Sequence, residues 1–244
     1  MDSVMYETPR FKHPFTCIIS GPTGSGKSSF CIKLLQNLES VSTEARFDGG
    51  ILWYYGESNA VPRVDIGRKI QFREGVTSDF TNEGNRPCLI ILDDLLHEAY
   101  SEEVCKLFTK GSHHRNISVI LITQNLFQQA KQCRTISLNA KYLVLLKNAR
   151  DRSQFSHLAR QVYPEDSVSL SRAYREATRR PHGYFVLDFA QDTPDVLRYR
   201  TNIFPGEGPL TVYIPWPNEE DQDTVPRTAG IEKRPAEAAE SHRS

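Results

Sequence analysis

Eight consecutive residues constrain this chain more than any other stretch: Gly21-Pro22-Thr23-Gly24-Ser25-Gly26-Lys27-Ser28. They fit G-x-x-x-x-G-K-[ST], the phosphate-binding P-loop. The apolar run Phe15-Thr16-Cys17-Ile18-Ile19-Ser20 precedes them and Ser29-Phe30-Cys31-Ile32-Lys33-Leu34-Leu35 follows, which supplies the strand before and the helix after that the motif requires. Glycines let successive backbone N–H groups turn inward around a phosphate, while the helix points the positive end of its dipole at the same anion. The pattern assigns Lys27 to the β- and γ-phosphates of ATP and the Ser28 hydroxyl to Mg²⁺. Gly21 to Ser29 are therefore the candidate nucleotide-binding residues.

A second signal lies at Pro87-Cys88-Leu89-Ile90-Ile91-Leu92-Asp93-Asp94. A continuous apolar strand ending in acid is the Walker B pattern: the first carboxylate, Asp93, fixes the Mg²⁺ shell, and the second, Asp94, orients or deprotonates the attacking water. On its own such a run reads equally well as a buried strand with a capping Asp. Its position about 65 residues after the P-loop favours the catalytic reading. Another apolar run, Ile117 to Thr123, ends in Gln124-Asn125, where an amide can reach the γ-phosphate or the water if the two strands are neighbours, or else caps the next turn.

Four further segments complete an α/β pattern. Gly50 to Gly56 reads as a second buried strand with Glu57 at its end, Lys141 to Lys147 as a fifth, and Gly183 to Phe189 with Val196 to Arg200 as a closing pair around the turn Asp192-Thr193-Pro194-Asp195. Helices are expected from the P-loop to about Leu38 and from about Glu98 to Lys110, the latter with Val104, Leu107 and Phe108 as its apolar stripe. Ile70-Gln71-Phe72 suits a brief strand, and the rest of Val61 to Gly84 yields no element. Strands alternating with helices predict a mostly parallel sheet covered on both faces.

Composition limits the remaining choices. At 244 residues with 39% apolar residues, one core with a tail is expected: an arm over 1–14, an ATPase domain over 15–216, and an acidic disordered tail over 217–244. Thirty basic residues balance thirty acidic ones, so a surface for nucleic acid must be local. Lys147 to Pro181 is helical and basic, with eight Lys/Arg against four acids for a local charge of +4; it reads as a solvated helix face or a contact with DNA or a subunit. The five scattered cysteines have neither a C-x-x-C pair nor finger spacing and read as small buried residues in a reducing compartment. His113-His114 lacks a matching carboxylate or cysteine for a metal, and His97, His157 and His182 read as surface or packing residues. With no apolar run of membrane-spanning length and a polar start, a soluble intracellular protein is expected.

Together, GPTGSGKS (21 to 28), LIILDDL (89 to 95) and LFTKGSHHRNISVILITQNLF (107 to 127) resemble the FtsK/HerA superfamily of P-loop motor ATPases. The likeness is strongest to the poxvirus-type genome-packaging ATPases of large DNA viruses, virophages and Maverick/Polinton or adintovirus-like elements, and covers about Phe15 to Phe189. The resemblance implies a three-layer P-loop sandwich whose five strands, counted along the sequence, lie in the order 5-1-4-3-2. It also implies a homo-oligomeric ring that hydrolyses ATP to pump double-stranded DNA into a capsid, with a capsid vertex protein as a further partner. In that family an arginine just before the sensor strand enters the neighbouring subunit's site. Here His113 aligns with that position while Arg115 lies two residues later, so Arg115 is the candidate. Asp94 stands where many relatives carry Glu, one methylene longer, which brings the water closer or shares the role with Glu57.

Two other functions compete with the motor. A small-molecule kinase would place Arg150 and Arg152 in a lid, against which the Thr123-Gln124-Asn125 sequence argues. A non-hydrolysing assembly partner would retain the fold and nucleotide binding, a reading that the displaced arginine and Asp94 motivate. A GTPase is weaker, since Asn148-Ala149-Arg150-Asp151 lacks the base-reading lysine.

Overall fold

The computed structural model describes residues 7–56, 66–77, 80, 82, 84–93, 95, 101–126, 132–151 and 153–214, with the backbone alone at 113. Strands buried on both faces organise them. In β1 (Thr16–Ser20), β4 (Cys88–Asp93), β5 (Ile117–Thr123) and β6 (Tyr142–Leu146) every residue is buried. Alternate side chains go to opposite faces. Cys17, Ile19, Leu89, Ile91, Ile120 and Val144 join one apolar cluster, while Ile18, Ile90, Leu92, Val119, Leu121 and Leu143 join the other. A sheet buried on both faces has no solvent side, which is why these strands are continuous apolar runs.

β2 (Gly50–Tyr55) and β3 (Ile70–Glu74) complete the parallel part, and β7 (Tyr184–Asp188), β8 (Tyr199–Thr201) and β9 (Thr211–Val212) extend it antiparallel. The nine strands lie in the order β3-β2-β4-β5-β1-β6-β7-β8-β9. Its middle, β2-β4-β5-β1-β6, is the 5-1-4-3-2 arrangement that the resemblance implied. The C-terminal pair of strands is present too, although the second is shorter and follows a 3₁₀ turn over Asp195–Leu197.

Helix α1 (Lys27–Gln36) covers one face with Phe30, Cys31, Leu34 and Leu35, each buried leucine contributing roughly 1.5–3 kcal/mol. It stops short of the expected Leu38 because Asn37 turns its side-chain amide back onto the Lys33 carbonyl (2.7 Å) and leaves helical geometry; a single turn, α2 (Leu38–Val41), follows. The opposite face is covered by α3 (Glu102–Lys106), a π-turn over Leu107–Gly111, α4 (Ser112–His114), α5 (Cys133–Leu138), α6 (Ser153–Val162) and α7 (Ser167–Ala177). The expected stripe of Val104, Leu107 and Phe108 is buried there. Sequence periodicity did not reveal α5 or β9, both short. None of the helices among the described residues is long and apolar enough to cross a membrane.

Residues 7–14 of the expected arm lie against this domain. Phe11 is buried beside Phe15 and Tyr142, and its backbone exchanges hydrogen bonds with Val41 and Thr43. Residues 215–244, which include the whole of the expected tail, lie outside the described residues. Farther along, Arg200 and Asp188 form an ion pair (2.9 Å) at 2% and 1% exposure, with Asp188 also accepting the Ala190 amide and Arg200 donating to the Leu197 carbonyl. Those extra bonds are what make a fully desolvated pair tolerable.

Below the sheet, His13 Nε2 faces Asn116 Oδ1 (2.8 Å) and its Nδ1 faces Ser118 Oγ (2.6 Å), while Ser118 Oγ accepts the Phe15 amide. Because Asn116 Oδ1 can only accept, Nε2 carries the proton and Nδ1 accepts from the serine. Burial lowers the His13 pKa and outweighs the upward pull of Asn116 and Glu44, so the fold prefers the neutral ring. A histidine depressed in the folded state is fully stabilising above its unfolded pKa of about 6.5, and that stability is lost as pH falls through the lower folded value. Thermal unfolding should therefore show a midpoint that drops between pH 7.5 and pH 5.5, and His13→Gln, although less stable at pH 7.5, should flatten that drop.

Candidate active site

Because β2, β4, β5, β1 and β6 are parallel, all five end on one edge of the sheet. Helix α1 leads from the end of β1 onto one face of the sheet, between β5 and β6 as the neighbours of β1, and this carboxyl edge is where α/β proteins place ligands. The P-loop occupies that edge. Ser20 pairs with Thr123, and the Gly21 amide continues the pairing by donating to the Thr123 carbonyl (3.3 Å). The loop then closes on itself: the Ser25 amide donates to the Pro22 carbonyl (3.1 Å), as does Lys27 Nζ (3.1 Å), and the Phe30 amide donates to Gly26 (2.8 Å) as α1 begins. Gly26 precedes the helix at φ 101°, ψ 20° and supplies no side-chain cap.

Two features of this loop fit a Mg²⁺-bound phosphate, one for the anion and one for the metal. Ser25 Oγ is buried without a protein hydrogen-bond partner and lies where a Cβ on Gly21 would come within 2.7 Å of it. At the start of α1, Ser28 Oγ donates to Asp93 Oδ2 at 3.4 Å. That pair joins the end of the P-loop to the end of β4, and its hard oxygens are the donor type Mg²⁺ takes, with waters completing its shell. Asp93 is 3% exposed and close enough to α1 to add to the burial that raises the Cys31 thiol pKa. Four of the five free cysteines are buried and Cys105 is half-buried, as a packing role expects.

Gln124 follows Thr123 directly, so the β1–β5 register sets it beside the first residue of the P-loop, with an exposed side chain. The next residue, Asn125, accepts through Oδ1 from Gln154 Nε2 of α6 (3.1 Å). Asp94, Glu57 and Arg152 lie outside the described residues, as does the side chain of His113. Arg115 lies at the opposite edge of the sheet, before β5 begins. Its Nη1 donates to the Phe80 carbonyl (3.0 Å), and its own carbonyl accepts from Asn82 (2.6 Å). Seven residues of β5 at about 3.3 Å each put it on the order of 20 Å from the P-loop of its own subunit.

The basic segment is sorted by its two helices. Phe155, Leu158, Leu170 and Tyr174 face inward, and Lys147, Arg150, Arg160, Arg172, Arg175, Arg179 and Arg180 are all exposed. His157 is an exposed residue as expected. His182 is exposed as well, and it also touches the P-loop: its Nδ1 lies 3.1 Å from the Ser25 carbonyl, across 157 residues of sequence. No local pattern reports such a contact.

No protein-family model and no curated protein matches the chain. Solved structures similar to it include three complexes of the genome packaging NTPase B204 from Sulfolobus turreted icosahedral virus 2. The complex with sulfate is 11% identical, that with ATP-gammaS 12% and that with AMPPCP 13%. Each has a TM-score of 0.47 and covers 83% of this chain and 98% of its own.

The glycines supply a direct check on the loop. Gly24 and Gly26 both have positive φ, 78° and 101°, but a Cβ on Gly24 would meet nothing within 4 Å, whereas one on Gly26 would lie 2.8 Å from His182 Nδ1. Gly24→Ala should cost only backbone strain, about 1 kcal/mol. Gly26→Ala should cost more, about 2–3 kcal/mol, and displace the loop as well. Chemical denaturation of the two variants reads the difference.

Proposed function

We propose that this chain binds Mg²⁺-ATP at the P-loop and hydrolyses it, and that a homo-oligomeric ring of such subunits uses the energy to move double-stranded DNA into a virus-type capsid. The observation that carries the nucleotide reading is the contact between Ser28 and Asp93, which brings the two motifs together at one edge of the sheet. The ring, the DNA and the capsid rest on the resemblance of the three motif stretches. The exposed Lys147, Arg150, Arg160, Arg172, Arg175, Arg179 and Arg180, in and around α6 and α7, are the surface for the DNA backbone.

In this reading the loop amides and Lys27 bind the phosphates, and Lys27 leaves the Pro22 carbonyl to meet them. Ser28 and Asp93 hold the metal, which when bound draws charge from the β- and γ-phosphate oxygens. Asp94 and Gln124 orient the attacking water for in-line displacement, and Gln124 is also suited to sense whether the γ-phosphate is present. Arg115, too far from its own P-loop, acts in the neighbouring subunit's site, where its positive charge offsets that developing on the phosphates.

Phosphate release measured with and without duplex DNA, alongside particle mass, tests this. The expected outcome is turnover by an oligomer that rises with duplex DNA and falls at least about 100-fold in Lys27→Ala, the scale on which a removed transition-state contact acts. Robust hydrolysis by a strict monomer indifferent to DNA would contradict the motor. Phosphate transfer to a nucleoside would favour the kinase, and tight binding without hydrolysis the assembly partner.

A further inference from the structure

The P-loop has a second support at the same edge of the sheet, two strands away. It comes from the turn between α7 and β7, where Pro181-His182-Gly183 leads into Tyr184. His182 sits there at φ 55°, with its ring against Gly26 and its Nδ1 3.1 Å from the Ser25 carbonyl. A carbonyl oxygen can only accept, so Nδ1 carries the proton and donates.

The peptide plane gives this bond its consequence. The Ser25–Gly26 bond is trans, so its C=O and N–H point in opposite directions. Drawing the Ser25 oxygen outward toward His182 turns the Gly26 amide inward. The carbonyl on the other side of Gly26 is held as well, because it accepts from the Phe30 amide (2.8 Å). With both flanking carbonyls anchored, the amide of Gly26 has one orientation available. A P-loop in which the Ser25–Gly26 peptide flipped would present an oxygen to the phosphate in place of a donor, which repels the ligand.

The same contact explains why position 26 admits no side chain here beyond the general needs of the motif. A Cβ would overlap the imidazole that holds the loop. The turn carrying His182 is itself set by β7, which pairs antiparallel with β6, which in turn pairs with β1. The ring is thus placed by the sheet rather than by a free loop.

We infer that His182 is a positioning residue for the nucleotide site: by donating from Nδ1 to the Ser25 carbonyl it keeps the Gly26 amide directed at the phosphates. This rests on the nucleotide reading given above. The role needs only a donor at the Nδ1 position, and asparagine provides one, since its amide nitrogen occupies that place and it tolerates positive φ.

The test compares the full chain with His182→Ala and His182→Asn, reading the dissociation constant for Mg²⁺-ATPγS by calorimetry and the unfolding midpoint without nucleotide. His182→Ala should weaken binding about five- to tenfold, the value of one hydrogen bond, and lower the nucleotide-free midpoint only by the small cost of that bond and of alanine at positive φ. His182→Asn should restore most of the affinity. Undiminished binding by His182→Ala, beside a wild-type chain that binds, overturns this role alone. A folded His182→Asn that binds about five- to tenfold more weakly than the wild-type chain overturns it too, whether or not the alanine variant folds. A wild-type chain that binds no ATPγS overturns the nucleotide reading and this role with it.

Discussion

The parallel pairing of β1 between β5 and β6 is the constraint on which the rest depends. Side chains on a strand alternate between faces, so a slip of one residue would exchange the two apolar clusters and expose or collide most of the core. The register is therefore held by packing on both faces, and it decides which residues meet at the edge. Ser20 opposite Thr123 brings the start of the P-loop next to Gln124, and Asp93 opposite Ile122 sets the acid one step back, within reach of Ser28. The chemistry of the site is a consequence of where three strands stop.

The antiparallel strands at the other end of the sheet contribute to that site as well. Tyr184 at the start of β7 packs its ring on Phe30 of α1, and Phe204, from the turn before β9, packs on the same ring. Glu207 in that turn accepts from Lys33 of α1 (2.6 Å) and from the Tyr184 hydroxyl. The P-loop helix is thus clamped by a segment about 170 residues later. Burial raises the Tyr184 pKa and the adjacent Glu207 adds to it, so the phenol stays a donor. The loop, in turn, is tied to β5 through Gly21 and to the α7–β7 turn through Ser25. The proposed phosphate cradle would need donors fixed before the ligand arrives, and these tethers come from both sides.

Motif spacing made the edge of the candidate site legible in the sequence, and hydrophobic runs made the strands legible. The P-loop carries its own context, and the run from Cys88 to Asp93 could only be a buried strand. Strand order did not follow from local pattern; it came with the resemblance, and the observed order β2-β4-β5-β1-β6 agrees with it. What the sequence did not disclose has a common cause. His182, Asn37 and the His13–Asn116–Ser118 group act through hydrogen bonds to backbone or to distant side chains, and such bonds leave no periodicity. β9, with two residues, and α5, with six, are too short to show a period. Arg115 was legible as a candidate, yet its place at the opposite edge of the sheet became plain only once β5 was laid out between it and the P-loop.

The central claim is that Ser28 and Asp93 form one half of a metal-nucleotide site. A calorimetric titration of the wild-type chain with ATPγS, with Mg²⁺ and then with excess chelator, tests it most directly. One nucleotide per chain, bound at least about tenfold more tightly with Mg²⁺, is the result predicted for a site whose serine and carboxylate hold the ion against the phosphates. Binding of equal strength in the two conditions, or no binding in either, would contradict it.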